Sequence, residues 1–159
     1  MPIRYTVASV IFALSQVAWA ETQQIARVPV PNSNVPVSQA VWLPGQAATL
    51  YLSGMLPSAA DNGTLGDTHA QTVSVLRRIE AALAGQGLSM ADIIQLRVYL
   101  VGDPSNQNAM DFQGFQSGYR QFFATQEQPH TPVRTVVQVA GLALPGALVE
   151  LEATAAKLK

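Results

Sequence analysis

The chain has no cysteine in its 159 residues. That excludes disulfides, thiolate metal sites and thiol nucleophiles. Charge is also scarce: nine Lys or Arg and ten Asp or Glu, with no run of either sign. A chain without a basic track is not expected to follow a phosphate backbone, so nucleic acid is not an expected partner. The two histidines, His69 and His130, sit in no recognisable metal-ligand motif, and no metal site is expected. There is no internal repeat and no low-complexity linker. The N-terminal apolar stretch, residues 7–14, is too short to span a bilayer, which takes about 20 residues.

That stretch fits a different use. Arg4 supplies a positive start, residues 7–14 an apolar core, and Ala18-Trp19-Ala20 an A-x-A cleavage site. Residues 1–20 therefore read as a secretory signal peptide. The expectation is an exported protein, periplasmic, with no membrane attachment after cleavage. Residues 21–35 are polar, carry Pro29 and Pro31, and are expected to be extended. Residues 36–159 suit a single domain. A hydrophobic content of 48% against 12% charge is high for a small monomer, which favours an oligomer.

Periodicity supplies the elements. Short strands are expected over 39–43 and 48–54. A helix capped by Asp67 or Thr68 carries Ala70, Val73, Leu76, Ile79 and Leu83 on one stripe and stops at Gly85-Gln86-Gly87. Residues 93–101 alternate as a strand, with Ile94, Leu96, Val98 and Leu100 on one face. A second helix over 110–125 bears Phe112, Phe115, Tyr119, Phe122 and Phe123, read as core rather than as a ligand box. Strands over 132–139 and 148–155 follow. The order β-β-α-β-α-β-β is an α+β pattern.

The last two strands contain an arginine and two glutamates in apolar surroundings. Ionised groups rarely face a core unless paired. Alternation puts Arg134, Val136 and Gln138 on one face and Val133, Thr135, Val137 and Val139 on the other. It likewise separates Glu150 and Glu152 from Val149, Leu151, Ala153 and Ala155. The short connection between the strands predicts antiparallel neighbours, with the apolar faces on the helices and Arg134 near Glu150 on the opposite side. Two readings stand: a structural ion pair, or a seat for an anionic ligand. Glu150 and Glu152 fit ion-pair members better than a carboxylate dyad. Ser53 has no evident His or Asp partner for triad chemistry.

Several segments, taken in order, carry a resemblance: Leu52-Ser53-Gly54 with Pro57, residues 79–87, residues 97–101, Phe122-Phe123, Pro132-Val133-Arg134, and residues 149–153. With these the chain resembles the RidA/YjgF family of reactive intermediate imine deaminases over about 36–155. The resemblance implies a chorismate-mutase-like fold, with two helices on one face of a mixed sheet. It also implies a homotrimer with clefts between subunits. The implied activity is hydrolysis of 2-imino or 2-enamino acids to 2-keto acids and ammonia, without a cofactor. Arg134 would grip the substrate carboxylate, and Glu150 would orient water or move a proton. Ser53 and Gly54 would line the cleft. Gln116 stands where better-known members have an asparagine, and Val136 where some have cysteine. Val37 follows Pro36 where active members often have tyrosine. Two further readings remain open: an exported trimer that binds small carboxylates without catalysis, and a holdase or interaction protein.

Overall fold

The computed structural model describes residues 24–61 and 63–159; the signal-peptide reading of residues 1–20 lies outside them. Strand β1 (Ala26–Pro29) pairs antiparallel with β2 (Ser38–Trp42) as a two-stranded ribbon. The segment expected only to be extended thus contributes a strand. The main sheet has four strands: β3 (Ala47–Met55), β4 (Ile93–Val101), β5 (Val133–Val139) and β6 (Val149–Leu158), in the order β3-β6-β4-β5. Two helices, α1 (Thr68–Ala84) and α2 (Phe112–Tyr119), cover one face. No helix among the described residues is long and apolar enough to cross a membrane.

Asp67 starts α1 by accepting a 2.8 Å hydrogen bond from the backbone N–H of Ala70. The buried residues of α1 are Thr68, Gln71, Thr72, Val75, Leu76, Ile79 and Leu83. The expected stripe holds from Leu76 onward, but Ala70 is exposed and Gln71 is buried in the first turns. Gln71 is fully satisfied there. Its amide donates to the carbonyls of Gly66 and Gly146, and its oxygen accepts from Leu148 N–H. A buried amide with three partners ties the helix start to the loop before β6 without the cost of an orphaned polar group.

Helix α2 is shorter than its periodicity predicts. Its C-cap is Arg120, and Ala124 adopts φ 58 soon after. Phe122 and Phe123 therefore lie in the turn beyond the helix, yet Phe123 is buried. Gly118 sits where the two helices meet. A Cβ there would lie 2.9 Å from Thr72 Cβ, so the glycine is what lets α2 approach α1.

The expected pairing of the last two strands is corrected. β4 lies between β5 and β6, parallel to the first and antiparallel to the second. The segment between β4 and β5 includes α2, the kind of crossover a parallel pair requires. Residues 140–148 then carry the chain past the end of β4, where Val101 N–H donates to Leu148 O. The register also corrects one face. Arg134 is opposite Leu96, Val136 opposite Val98 and Gln138 opposite Leu100, and Leu96, Val98 and Leu100 are buried. Arg134 therefore projects to the helix-covered side. Thr135 and Val137, expected to pack on helices, lie exposed on the open side. The face of β6 is as expected: Val149, Leu151, Ala153 and Ala155 are buried.

Candidate functional site

Arg134 is the second residue of an edge strand. Its guanidinium lies over α2, with Cζ 4.3 Å from the ring centroid of Tyr119 and 5.1 Å from that of Phe115. Nη2 donates a 2.9 Å hydrogen bond to Gln116 Oε1. Nη1 is buried and has no hydrogen-bond partner. Burial pulls the guanidinium pKa below its usual value, but an arginine starting that high remains charged at neutral pH. Aromatic faces offset part of the desolvation cost. The remainder is that of a half-buried cation with an unused donor, several kcal/mol when no counter-charge is supplied.

The anticipated Arg134–Glu150 pair does not form. Glu150 is opposite Tyr99 in the register, and Arg134 is opposite Leu96. Positions 96 and 99 point to opposite faces of β4, so the two ionised groups do as well. The ion pair in this region is Arg97 Nη1 to Glu152 Oε2 at 3.1 Å, on the open face, with side chains 56% and 35% exposed. At that exposure it contributes little stability.

The residues picked from sequence therefore fall into two groups. Arg134, Gln116 and Val136 meet at the β5 edge, where Val136 packs against the core. Ser53, Gly54 and Glu150 meet at the other end of the strand order. Ser53 and Gly54 are exposed within the irregular stretch of β3 between Leu52 and Met55. The carboxylate of Glu150 lies directly over Gly54: a Cβ there would sit 1.9 Å from Glu150 Oε1. Only glycine leaves room for it.

Val37 belongs to the Arg134 end. The preceding carbonyl, Pro36 O, accepts a 2.8 Å hydrogen bond from Tyr119 Oη. Ser38 Oγ donates to Thr131 O at 2.6 Å, and Ser38 N–H to Pro132 O at 2.9 Å. The Pro36–Val37–Ser38 turn is thus fastened to α2 and to the start of β5, on both sides of Val37.

Of the aromatic stripe, Phe115, Tyr119 and Phe123 are core as the spacing implied, while Phe112 is exposed, and the stripe has a second role. Phe115 and Tyr119 are buried and also form the bed under Arg134. Their three- and four-residue spacing shows one helix face, but nothing in it says which strand lies beneath. Of the histidines, His69 Nδ1 hydrogen-bonds Ser117 Oγ on the helix layer, and His130 is exposed before β5.

Comparisons with known proteins identify the fold and the family. The profile of the family described as "Endoribonuclease L-PSP" matches residues 29–157. A RutC family protein of Pyrococcus horikoshii is 32% identical over 129 residues, covering 80% of this chain and 91% of its own. The 3-aminoacrylate deaminase RutC of Acinetobacter baylyi is 31% identical over 124 residues, covering 76% and 90%. Among solved structures, a Rid family protein YyfB from Yersinia pestis superposes with TM-score 0.63 at 29% identity over 83% of this chain and 96% of that one. Escherichia coli TdcF with bound serine superposes with TM-score 0.57 at 30% identity, covering 84% and 97%. The chain belongs to the Endoribonuclease L-PSP family, the group that includes RidA, YjgF, TdcF and RutC.

Proposed function

We propose that this protein hydrolyses 2-imino acids, and the 2-enamino acids that tautomerise to them, at clefts between copies of the chain. The carrying observation is Arg134: a half-buried guanidinium on an aromatic bed, held on one side by Gln116 and left with an unused Nη1 donor. A carboxylate supplies the missing counter-charge, and a turn of the guanidinium presents the buried Nη1 donor to it. A relative named as a deaminase and one crystallised with serine give the reading its substrate class.

The strand order supports completion by a second copy. β5, one sheet edge, carries Arg134, while β3, the other edge, and its neighbour β6 carry Ser53, Gly54 and Glu150. A head-to-tail ring, a trimer on this reading, brings the β5 edge of one copy to the β3–β6 side of the next. The open face bears Tyr51, 77% exposed, and Val137, 41% exposed, in the isolated chain. Neighbouring copies would cover these side chains.

The chemistry then balances simply. Water adds to the C=N carbon, Glu150 takes its proton, and the proton passes to nitrogen. The carbinolamine's hydroxyl proton then passes to nitrogen, with Glu150 as the relay. The C=O bond forms as the C–N bond breaks, and ammonia and the 2-keto acid leave. Fixing the carboxylate on Arg134 holds the carbon against the water, so positioning supplies most of the acceleration. Val37 offers no hydroxyl, and that observation favours a second reading: the same clasp used to bind small carboxylates without turnover. Export to the periplasm by residues 1–20 belongs to the proposal as well.

An imine generated in place by an amino-acid oxidase decides between them. The deaminase reading predicts ammonia release faster than in buffer, abolished by Arg134→Ala in a folded protein. Binding of a 2-keto acid without acceleration would leave only the second reading, and full turnover by Arg134→Ala would remove the arginine clasp on which both rest.

A further inference from the structure

A cavity of about 330 Å³ lies where β1, the start of β4 and the end of β6 converge. Arg27, Asp92, His130 and Lys157 line it, with Ile25 and Leu158 among its apolar walls. In a chain with nine Lys or Arg, two permanent cations and a histidine around one hollow are a concentration of charge. Nothing in the imine chemistry uses them. The cavity shares no lining residue with Arg134, Gln116, Val136, Ser53, Gly54 or Glu150.

Arg27 is held in place, whereas Lys157 is exposed and its ammonium is turned to Gly87, which lines a neighbouring cavity. Arg27 Nη2 donates to Ala91 O at 2.8 Å and to Ile93 O at 2.9 Å. Arg27 Nε is buried with no hydrogen-bond partner. Lys157 Nζ donates to Gly87 O at 3.1 Å. The one acid, Asp92, is already engaged: its Oδ2 accepts from Ser89 N–H and Ser89 Oγ. Those donors are neutral, so the Asp92 carboxylate still offsets one of the two cations, and the cavity carries one net positive charge against an apolar wall.

We propose that this cavity binds a small organic anion, a carboxylate or phosphate, with Arg27 and Lys157 as its charged anchors and His130 as a further polar contact. Such a group gains charge-assisted hydrogen bonds from Arg27, already positioned, and from Lys157 once its exposed side chain turns from Gly87 to the cavity. Its apolar remainder lies on Ile25 and Leu158.

The test is a backbone-amide NMR titration of the full chain with propionate and, separately, inorganic phosphate. Performing it on Arg134→Ala as well removes the proposed catalytic clasp, so the two readings fail separately. The expected result is saturable shifts at Arg27, Ala91, Asp92, His130 and Lys157 in both proteins. Replacing the exposed Lys157 by Gln weakens binding about tenfold, the loss of one charge-assisted contact. Response to both anions assigns the shared chemistry, and response to one alone identifies the source. Absence of shifts at these residues in the wild-type chain, or shifts unaffected by Lys157→Gln, overturns the proposal.

Discussion

The hydroxyl of Tyr119 donates a 2.8 Å hydrogen bond to the carbonyl of Pro36, 83 positions earlier in the chain. The same ring carries the guanidinium of Arg134 on its face. One side chain thus supports the cation and fixes the turn beside it. It also has a pH signature. Burial holds the Tyr119 phenol well above its ordinary range, against the opposing influence of Arg134 and Arg120. In the unfolded chain the phenol loses its proton near about pH 10. The folded state then binds more protons than the unfolded one, so this contribution is present below about pH 10 and lost as pH rises above it. Denaturant unfolding at neutral and strongly alkaline pH checks this. Tyr119→Phe is expected to cost about 1 kcal/mol at neutral pH and to show a smaller alkaline loss than wild type. An equal alkaline loss would assign the effect to other groups.

Gln116 occupies one donor of Arg134 and so aims the other. Gln116→Ala leaves both terminal nitrogens without a protein acceptor and frees the guanidinium to turn. The expected outcome is a KM raised by roughly tenfold, about one hydrogen bond's worth of orientation, with a smaller change in kcat. Steady-state kinetics on the oxidase-generated imine reads this directly. Unchanged KM would mean the hydrogen bond is incidental to substrate binding.

Gly54 gives a test of the other half. Alanine there places a methyl on the Glu150 carboxylate, so the carboxylate must swing away. Turnover should fall by roughly tenfold to a hundredfold, the range expected when a catalytic group is displaced by about an ångström. The circular dichroism spectrum should not change, because both residues lie on the open side of the sheet. Wild-type turnover in Gly54→Ala would remove Glu150 from the mechanism.

Much of this arrangement was legible in the sequence, for reasons that also explain the exceptions. β4 from Leu96 onward and β6 up to Ala155 alternate cleanly because each has one face under the helices; at the start of β4 an irregularity puts Ile93, not the expected Ile94, in the core cluster. β5 misled because Val133, Thr135, Val137 and Val139 have the composition of a buried face. The structure instead turns Thr135 and Val137 to the open side and Arg134 toward the helices. Strand neighbours misled for a related reason. A short connection suggests a hairpin, but a chain can equally pass over the end of one intervening strand. Gln71 was missed because a buried amide is recognisable only once its three partners are known. Arg134 was singled out because charge in an apolar strand is costly, and that argument holds whichever face it occupies.

The division of the site between the β5 edge and the β3–β6 end of the sheet leads to the most direct measurement. Arg134→Ala and Glu150→Gln chains, each inactive alone, are unfolded together in equal amounts and refolded. If each cleft takes its arginine from one copy and its glutamate from the next, random mixing restores about one quarter of the clefts, whatever the size of the ring. The account predicts about that share of wild-type ammonia release from the mixture. A mixture that stays as inactive as its parents, although hetero-oligomers have formed, would contradict it.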